Sequence, residues 1–172
     1  DGTYAAGDTM KVPNKFLYYK PNETIQGKWL IPTFGIPNAA NNSNIFNITL
    51  PQPKTQNVVC NVTTAGVENV SIANFTNITL QSGSRFAYTA NSATYNKIDD
   101  EHGQLTIPLT YDAQNIHNVD APYTEEITIS YTYLHPIENV TKSESANITL
   151  TAIEDYTPKF KVAVNSVDVT EI

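Results

Sequence analysis

Apolar and polar residues alternate along most of the chain with a period of two, which places successive side chains on opposite faces of a strand. Runs of this kind occupy about residues 25–36, 44–50, 57–63, 67–72, 76–80, 85–90, 104–111, 125–134, 146–153 and 159–169. In the seventh, Leu105, Ile107, Leu109 and Tyr111 share a face against Thr106 and Thr110. In the eighth, Ile127, Ile129, Tyr131 and Tyr133 oppose Thr128, Ser130 and Thr132. These apolar faces are the predicted centre of the core. Pro108 has no N–H to give to a ladder and predicts an edge strand or a bulge. In the last run Phe160, Val162 and Val164 have one parity and Val167 and Val169 the other, which predicts a bulge near Asn165-Ser166.

Turn residues separate the runs at 37–42, 51–53, 82–84, 99–103 and 135–136, and no stretch of ten or more residues shows a 3.6-residue period. About ten short strands at this spacing in a chain of 172 residues predict an all-β fold. The expected architecture is a single β-sandwich of immunoglobulin-like or jelly-roll type, with no internal repeat and no second domain. The expected division is an N-terminal extension over 1–14 and the sandwich over 15–172. Gly2, Ala5, Ala6 and Gly7 give the extension little to bury. If extended, it sets Tyr4, Ala6, Met10 and Val12 on one face, suited to addition as a strand to another sheet. Packing on its own domain is the alternative.

Composition reinforces the strand reading. There are 19 Asn, 22 Thr and 10 Tyr, while Arg85 is the only arginine, so helix formers are scarce and strand formers abundant. Charged residues are only 16% of the chain, and ten Lys plus Arg against seventeen Asp plus Glu leave a net charge of −7. Nucleic acid is a poor partner for such a surface. The longest apolar stretches, such as Trp29-Leu30-Ile31, are far shorter than the roughly 20 residues of a membrane-spanning helix or the core of a signal peptide, so the chain reads as soluble and already processed. A domain of this size buries about 70% of its unfolded surface and needs no disulfide. Cys60 alone cannot form one within the chain.

Asn-X-Ser/Thr, the N-glycosylation acceptor pattern, occurs nine times, at Asn22, Asn41, Asn47, Asn61, Asn69, Asn74, Asn77, Asn139 and Asn147. Chance placement in this composition gives about three or four. Five of these asparagines, at 47, 61, 69, 77 and 147, fall on the polar parity of a strand whose other parity is apolar, as a glycosylated residue must. The same alternation also arises in any plain amphipathic strand. Asn74 and Asn77 have opposite parity, so either the chain turns near 73–76 or one of the two is unmodified.

Raw material for catalysis is sparse. His102, His117 and His135 lie in polar or turn-like stretches without an HExxH pattern or a Cys pair, so no metal site is expected. Asp99, Asp100 and Glu101 lack the spacing of a calcium loop and read as an exposed acidic turn. Cys60 shares a face with Val58 and Val62, as a core residue does. There is no GxSxG, no phosphate-binding glycine loop and no dinucleotide fingerprint. A structural or binding role is expected rather than an enzymatic one.

Nine sequons, one arginine, one cysteine, abundant Thr, Asn and Tyr, and an extended N-terminal segment together resemble the archaeal thread pilins, glycosylated subunits of Sulfolobus-type surface filaments. The resemblance is one of whole-chain profile. It implies a pilin-like sandwich that lacks a strand, completed by the N-terminal extension of the neighbouring subunit through donor-strand complementation. Here the donor would be roughly Asp1 to Val12, carrying Tyr4, Ala6, Met10 and Val12, although its Gly and Ala content departs from the bulky alternation of bacterial donor strands. It further implies identical subunits as partners, covalent N-linked glycans with no other cofactor, an extracellular cell-surface location, and a part in adhesion or cell-cell contact. Head-to-tail insertion does not close on itself and so builds a filament. Two other readings of the residues are a carbohydrate-binding module using Trp29, Tyr18 and Tyr19, and a domain of a surface-layer glycoprotein.

Overall fold

The computed structural model describes residues 2–4, 25–27, 31–49, 53–112, 122–155, 161–164 and 167–171, the first two and last two of these segments by their backbone alone. Its strands are β1 (Gly2–Tyr4), β2 (Ile25–Gly27), β3 (Gly35–Ala39), β4 (Ile45–Thr49), β5 (Lys54–Thr63), β6 (Phe75–Leu80), β7 (Phe86–Tyr88), β8 (Thr94–Lys97), β9 (His102–Tyr111), β10 (Tyr123–His135), β11 (Val140–Asp155), β12 (Lys161–Val164) and β13 (Val167–Glu171). The fold is an all-β sandwich. One sheet has the order β4-β11-β10-β6, and the other β3-β5-β9 with β7 and β8 in tandem along the far side of β9. Two further ribbons pair β1 with β2 and β12 with β13. Among the described residues all pairings are antiparallel except β4 beside β11, where Ile45 to Thr49 run parallel to Thr151 to Asp155.

The core lies where the alternation places it. Leu105, Ile107, Leu109 and Tyr111 of β9 face Ile127, Ile129, Tyr131 and Tyr133 of β10, and all eight are buried. Phe46, Ile48, Val58, Cys60, Val62, Ile148 and Leu150 complete the layer. Each such side chain contributes about 1.5–3 kcal/mol by leaving water. Aromatic rings close both ends of the layer. Phe34 lies 5.1 Å from the rings of Tyr131 and Tyr133 at one end, and Phe86 lies 4.9 Å from Phe46 and 5.0 Å from Tyr111 at the other.

Four details differ from the sequence expectation. Strand β9 is central, with β5 on one side, and Pro108 sits opposite the gap between β7, which covers Leu109 to Tyr111, and β8, which covers Gly103 to Thr106. The missing N–H thus falls at a joint between two partners rather than at an edge or bulge. Residues 67–72 form no strand: Val67 is buried, but Asn69 takes a left-handed φ of 58° and Ile72–Asn74 is a 3₁₀ turn. The last run is two strands paired with each other, β12 and β13, rather than one bulged strand, and the register shift lies between Val162 and Ala163. The short strand β8 was not foreseen.

Candidate functional site

The two outer strands of the four-stranded sheet, β4 and β6, set the site. On the β4 side the sandwich is stitched shut. Gln56 Nε2 on β5 donates to Ser43 O at 2.8 Å and to Ile45 O at 2.9 Å, and Lys54 Nζ donates to Asn47 O at 2.6 Å. Ser43 Oγ joins in, donating to Val59 O and accepting from Val59 N–H at 3.0 and 2.8 Å. The outward-facing carbonyls of β4 are thereby satisfied by side chains of the opposite sheet, and the inner residues Phe46 and Ile48 are 0% and 1% exposed.

The β6 side is open. Among the described residues β6 pairs only with β10, and its other edge carries no strand. Its inner residues Ile78 and Leu80 are only half-buried. A groove of about 670 Å³ runs along this edge, with Ile72, Ala73, Phe75, Thr76, Asn77 and Ile78 on one wall and Tyr88, Ala90, Asn91 and Ala93 on the other. The second wall is the β7–β8 connection, turned by Asn91 with φ 63°. Phe75 packs beside Tyr95, ring centroids 5.5 Å apart. Tyr95 in turn covers Gly103, where a Cβ would come within 2.2 Å of the tyrosine hydroxyl oxygen, so only glycine leaves room for the ring. Burial pushes the Tyr95 phenol up. What the groove offers is a length of unpaired strand edge flanked by small and aromatic side chains, the environment an added strand requires.

Below the groove the β6–β7 connection is pinned to β10. Buried Glu125 accepts from Ser84 Oγ and Tyr123 Oη, and the Arg85 guanidinium lies 4.2 Å from the centre of the Tyr123 ring. Tyr111 Oη donates to Glu154, and Tyr131 and Tyr133 both donate to Glu144. Burial, then the bond to Glu154, pushes the Tyr111 phenol up to about 12.

Of the sequon asparagines in the described residues, those at 41, 47, 69, 77, 139 and 147 are exposed, and Asn61 and Asn74 are half-buried. Asn47, Asn77 and Asn147 stand on the outward face of the four-stranded sheet. Asn41, Asn69 and Asn139 sit in turns, with φ of 52°, 58° and 54°. Asn69 was expected on a strand, but the turn exposes it equally well. Asn61 donates to Asn38 Oδ1 at 2.7 Å on the outward face of the other sheet. Asn74 differs from the rest: its Oδ1 accepts from Ser71 N–H at 2.9 Å and its Nδ2 donates to Thr132 O at 2.8 Å, so both ends of the amide hold the 3₁₀ turn to β10. The chain therefore does turn near Ala73, in the 3₁₀ turn that ends at Asn74, and β6 then carries a register irregularity between its Phe75–Tyr131 and Asn77–Ser130 pairs. Asn22, the donor residues Ala6, Met10 and Val12, the aromatics Tyr18, Tyr19 and Trp29, and His117 lie outside the described residues. The backbone of Tyr4 pairs with Ile25 of the same chain.

The remaining chemical candidates are quiet. Burial pushes the Cys60 thiol up to about 12, which removes the thiolate a nucleophile would need. Asp99, Asp100 and Glu101 form an exposed turn in which Lys97 binds Asp100 at 2.6 Å and Asp99 accepts from Glu101 N–H at 2.8 Å, with His102 Nδ1 2.9 Å from the same carboxylate. His135 Nδ1 accepts from Glu138 N–H at 3.2 Å. Among the described residues no group of three His, Cys, Asp or Glu side chains is placed to hold a metal ion, and no helix is long and apolar enough to cross a membrane. Parity in the sequence located the outward asparagines. It missed both groove walls, and the one hint was Thr89-Ala-Asn-Ser-Ala93, a small-residue turn between two short strands. Comparison with protein families, with curated proteins and with solved structures finds no match.

Proposed function

We propose that this chain is a structural, non-catalytic subunit of an extracellular glycosylated filament that assembles head to tail by donor-strand complementation and serves adhesion or cell-cell contact. The observation that carries the reading is the open β6 edge. One side of the sandwich is closed by side-chain hydrogen bonds, whereas the other presents a strand edge unpaired among the described residues, beside a groove that holds the half-buried Ile78 and Tyr88. A strand from a second copy would pair with β6 and cover Ile78 and Tyr88. The N-terminal extension, with Tyr4, Ala6, Met10 and Val12 on one parity, is the segment proposed to enter. The sequon excess, the outward placement of Asn47, Asn77 and Asn147, and the low charge support a glycan-coated exterior. The rival carbohydrate-binding reading needs an exposed aromatic platform, and on the outward faces of the two large sheets no aromatic side chain is present among the described residues.

The test compares the intact chain with one lacking residues 1–14, by sedimentation and electron microscopy. Polymers from the intact chain and monomers from the truncated one are expected, and a synthetic peptide of residues 1–14 should raise the melting temperature of the truncated chain by occupying the groove. Ala90→Trp, at the exposed rim, should block assembly while leaving the fold intact. Identical monomers from the intact and truncated chains at every concentration would overturn the reading.

A further inference from the structure

The outward face of β10 and β11 is nearly without charge. On β11 every outward position from Thr141 to Thr151 is a hydroxyl or an amide, and on β10 Glu126 is the one ionisable side chain on that face. In the middle of the face Asn147 stands opposite Thr128, which stands opposite Thr79. The next row is Ser145, Ser130 and Asn77. Asn147 does not point straight into solvent. Its Oδ1 accepts from Thr128 Oγ1 at 3.0 Å and its Nδ2 donates to Glu126 Oε2 at 3.1 Å, so the amide leans across β10. Nδ2 is the atom through which an N-linked glycan is attached.

We propose that this face is a bed for the glycan on Asn147: the sugar leaves Nδ2 beside Glu126, already over β10, and lies across Glu126 and the hydroxyls of Thr124 and Thr151 rather than extending away from the protein. The inference rests on the glycoprotein reading above and adds to it where the sugar goes. A free oligosaccharide would gain little here. There is no ring to stack on among the described residues of this face, and each neutral hydrogen bond nets little against the entropy of association. A sugar tethered in the middle of the array has most of that entropy removed in advance, at an effective concentration in the millimolar range or above, so weak contacts suffice. Rows about 6.6–6.8 Å apart on strands about 4.7–4.9 Å apart present hydroxyls at intervals a sugar chain can follow.

The test begins with peptide mass spectrometry of the protein from its natural source, to establish whether Asn147 is occupied. Thr124→Val and Thr151→Val, which remove hydroxyls beside Glu126 without destroying any Asn-X-Ser/Thr pattern, are then combined with Asn147→Gln in thermal denaturation cycles. In glycosylated protein the two hydroxyl substitutions together should lower Tm by about 2–4 °C, with no loss in the Asn147→Gln background. Occupied Asn147 with the same shift in both backgrounds would show a sugar standing clear of the face and overturn the inference alone. Unmodified Asn147 would remove the glycan reading at this site and the inference with it, a result visible from mass before any cycle is run. Submillimolar binding of a free neutral oligosaccharide to the unglycosylated chain, abolished by Thr124→Val, would assign the face to an external ligand and also overturn it.

Discussion

Strands β4 and β6 are the two margins of one sheet, and they meet the opposite sheet in opposite ways. Along β4, Gln56, Lys54 and Ser43 reach across to bind backbone carbonyls, and the inward Phe46 and Ile48 are sealed. Along β6 the carbonyls and N–H groups that face away from β10 meet no strand among the described residues, and the inward Ile78 and Leu80 keep part of their surface in water. Side chains on a neighbouring strand finish the first margin. The second is left with the geometry of a strand that lacks a neighbour, which is why a function based on adding one is proposed there.

The contrast can be broken most directly by truncating one inward residue on each margin. Phe46→Ala should cost about 3–5 kcal/mol in a denaturant titration of the isolated subunit, because a buried ring leaves a cavity. Ile78→Ala should cost about 1 kcal/mol, since part of that side chain is already wet. Equal losses would mean that the two margins are equally closed. Gln56→Ala should follow at about 1–3 kcal/mol, from two part-buried carbonyls left without their donor, and it should leave assembly unaffected. A smaller, pH-dependent effect comes from the pinned end of the sandwich. Tyr111 holds its proton up to about 12 in the fold against 10 in the unfolded chain, so its stabilisation is intact below pH 10 and is lost as pH rises from 10 through about 12. Tyrosinate absorbance measured beside the unfolding midpoint at pH 9 and 11 checks the sign. Smallest in energy but sharp in outcome, peptide mass spectrometry of the natural protein should find Asn77 carrying a glycan and Asn74 bare, because the Asn74 amide is already committed at both ends. A modified Asn74 would mean that the turn before β6 opens.

Most of the sandwich was legible in the sequence because each central strand buries one face, and a period of two then reports that face directly. Leu105 to Tyr111 and Ile127 to Tyr133 are the clear cases. Where burial does not alternate, the pattern failed. Val67 enters the core from a turn, not a strand. Strand β8 has one inward ring, Tyr95, among Thr94, Asn96 and Lys97, too little to make a period. Pro108 was misplaced because parity says nothing of how many partners lie along a strand's flank. The groove was invisible for a related reason: it is defined by which strand ends without a neighbour, a property of strand order rather than of any residue. The sequons were readable as polar outward positions, whereas the tied amide of Asn74 depends on Thr132, far along the chain.

The parallel pairing of β4 with β11 has a kinetic consequence. Asn44 Nδ2 binds Thr149 O across 105 residues of chain, so β4 cannot take its place in the four-stranded sheet until β11 has been synthesised. Contacts of such sequence separation are slow to find one another. A hairpin such as β10–β11 forms locally as soon as its second strand is made, while β4 must wait for that same distant strand. A nascent chain would spend that interval with β4 lacking its partner in the sheet, which makes guarded handling during synthesis a requirement of this topology.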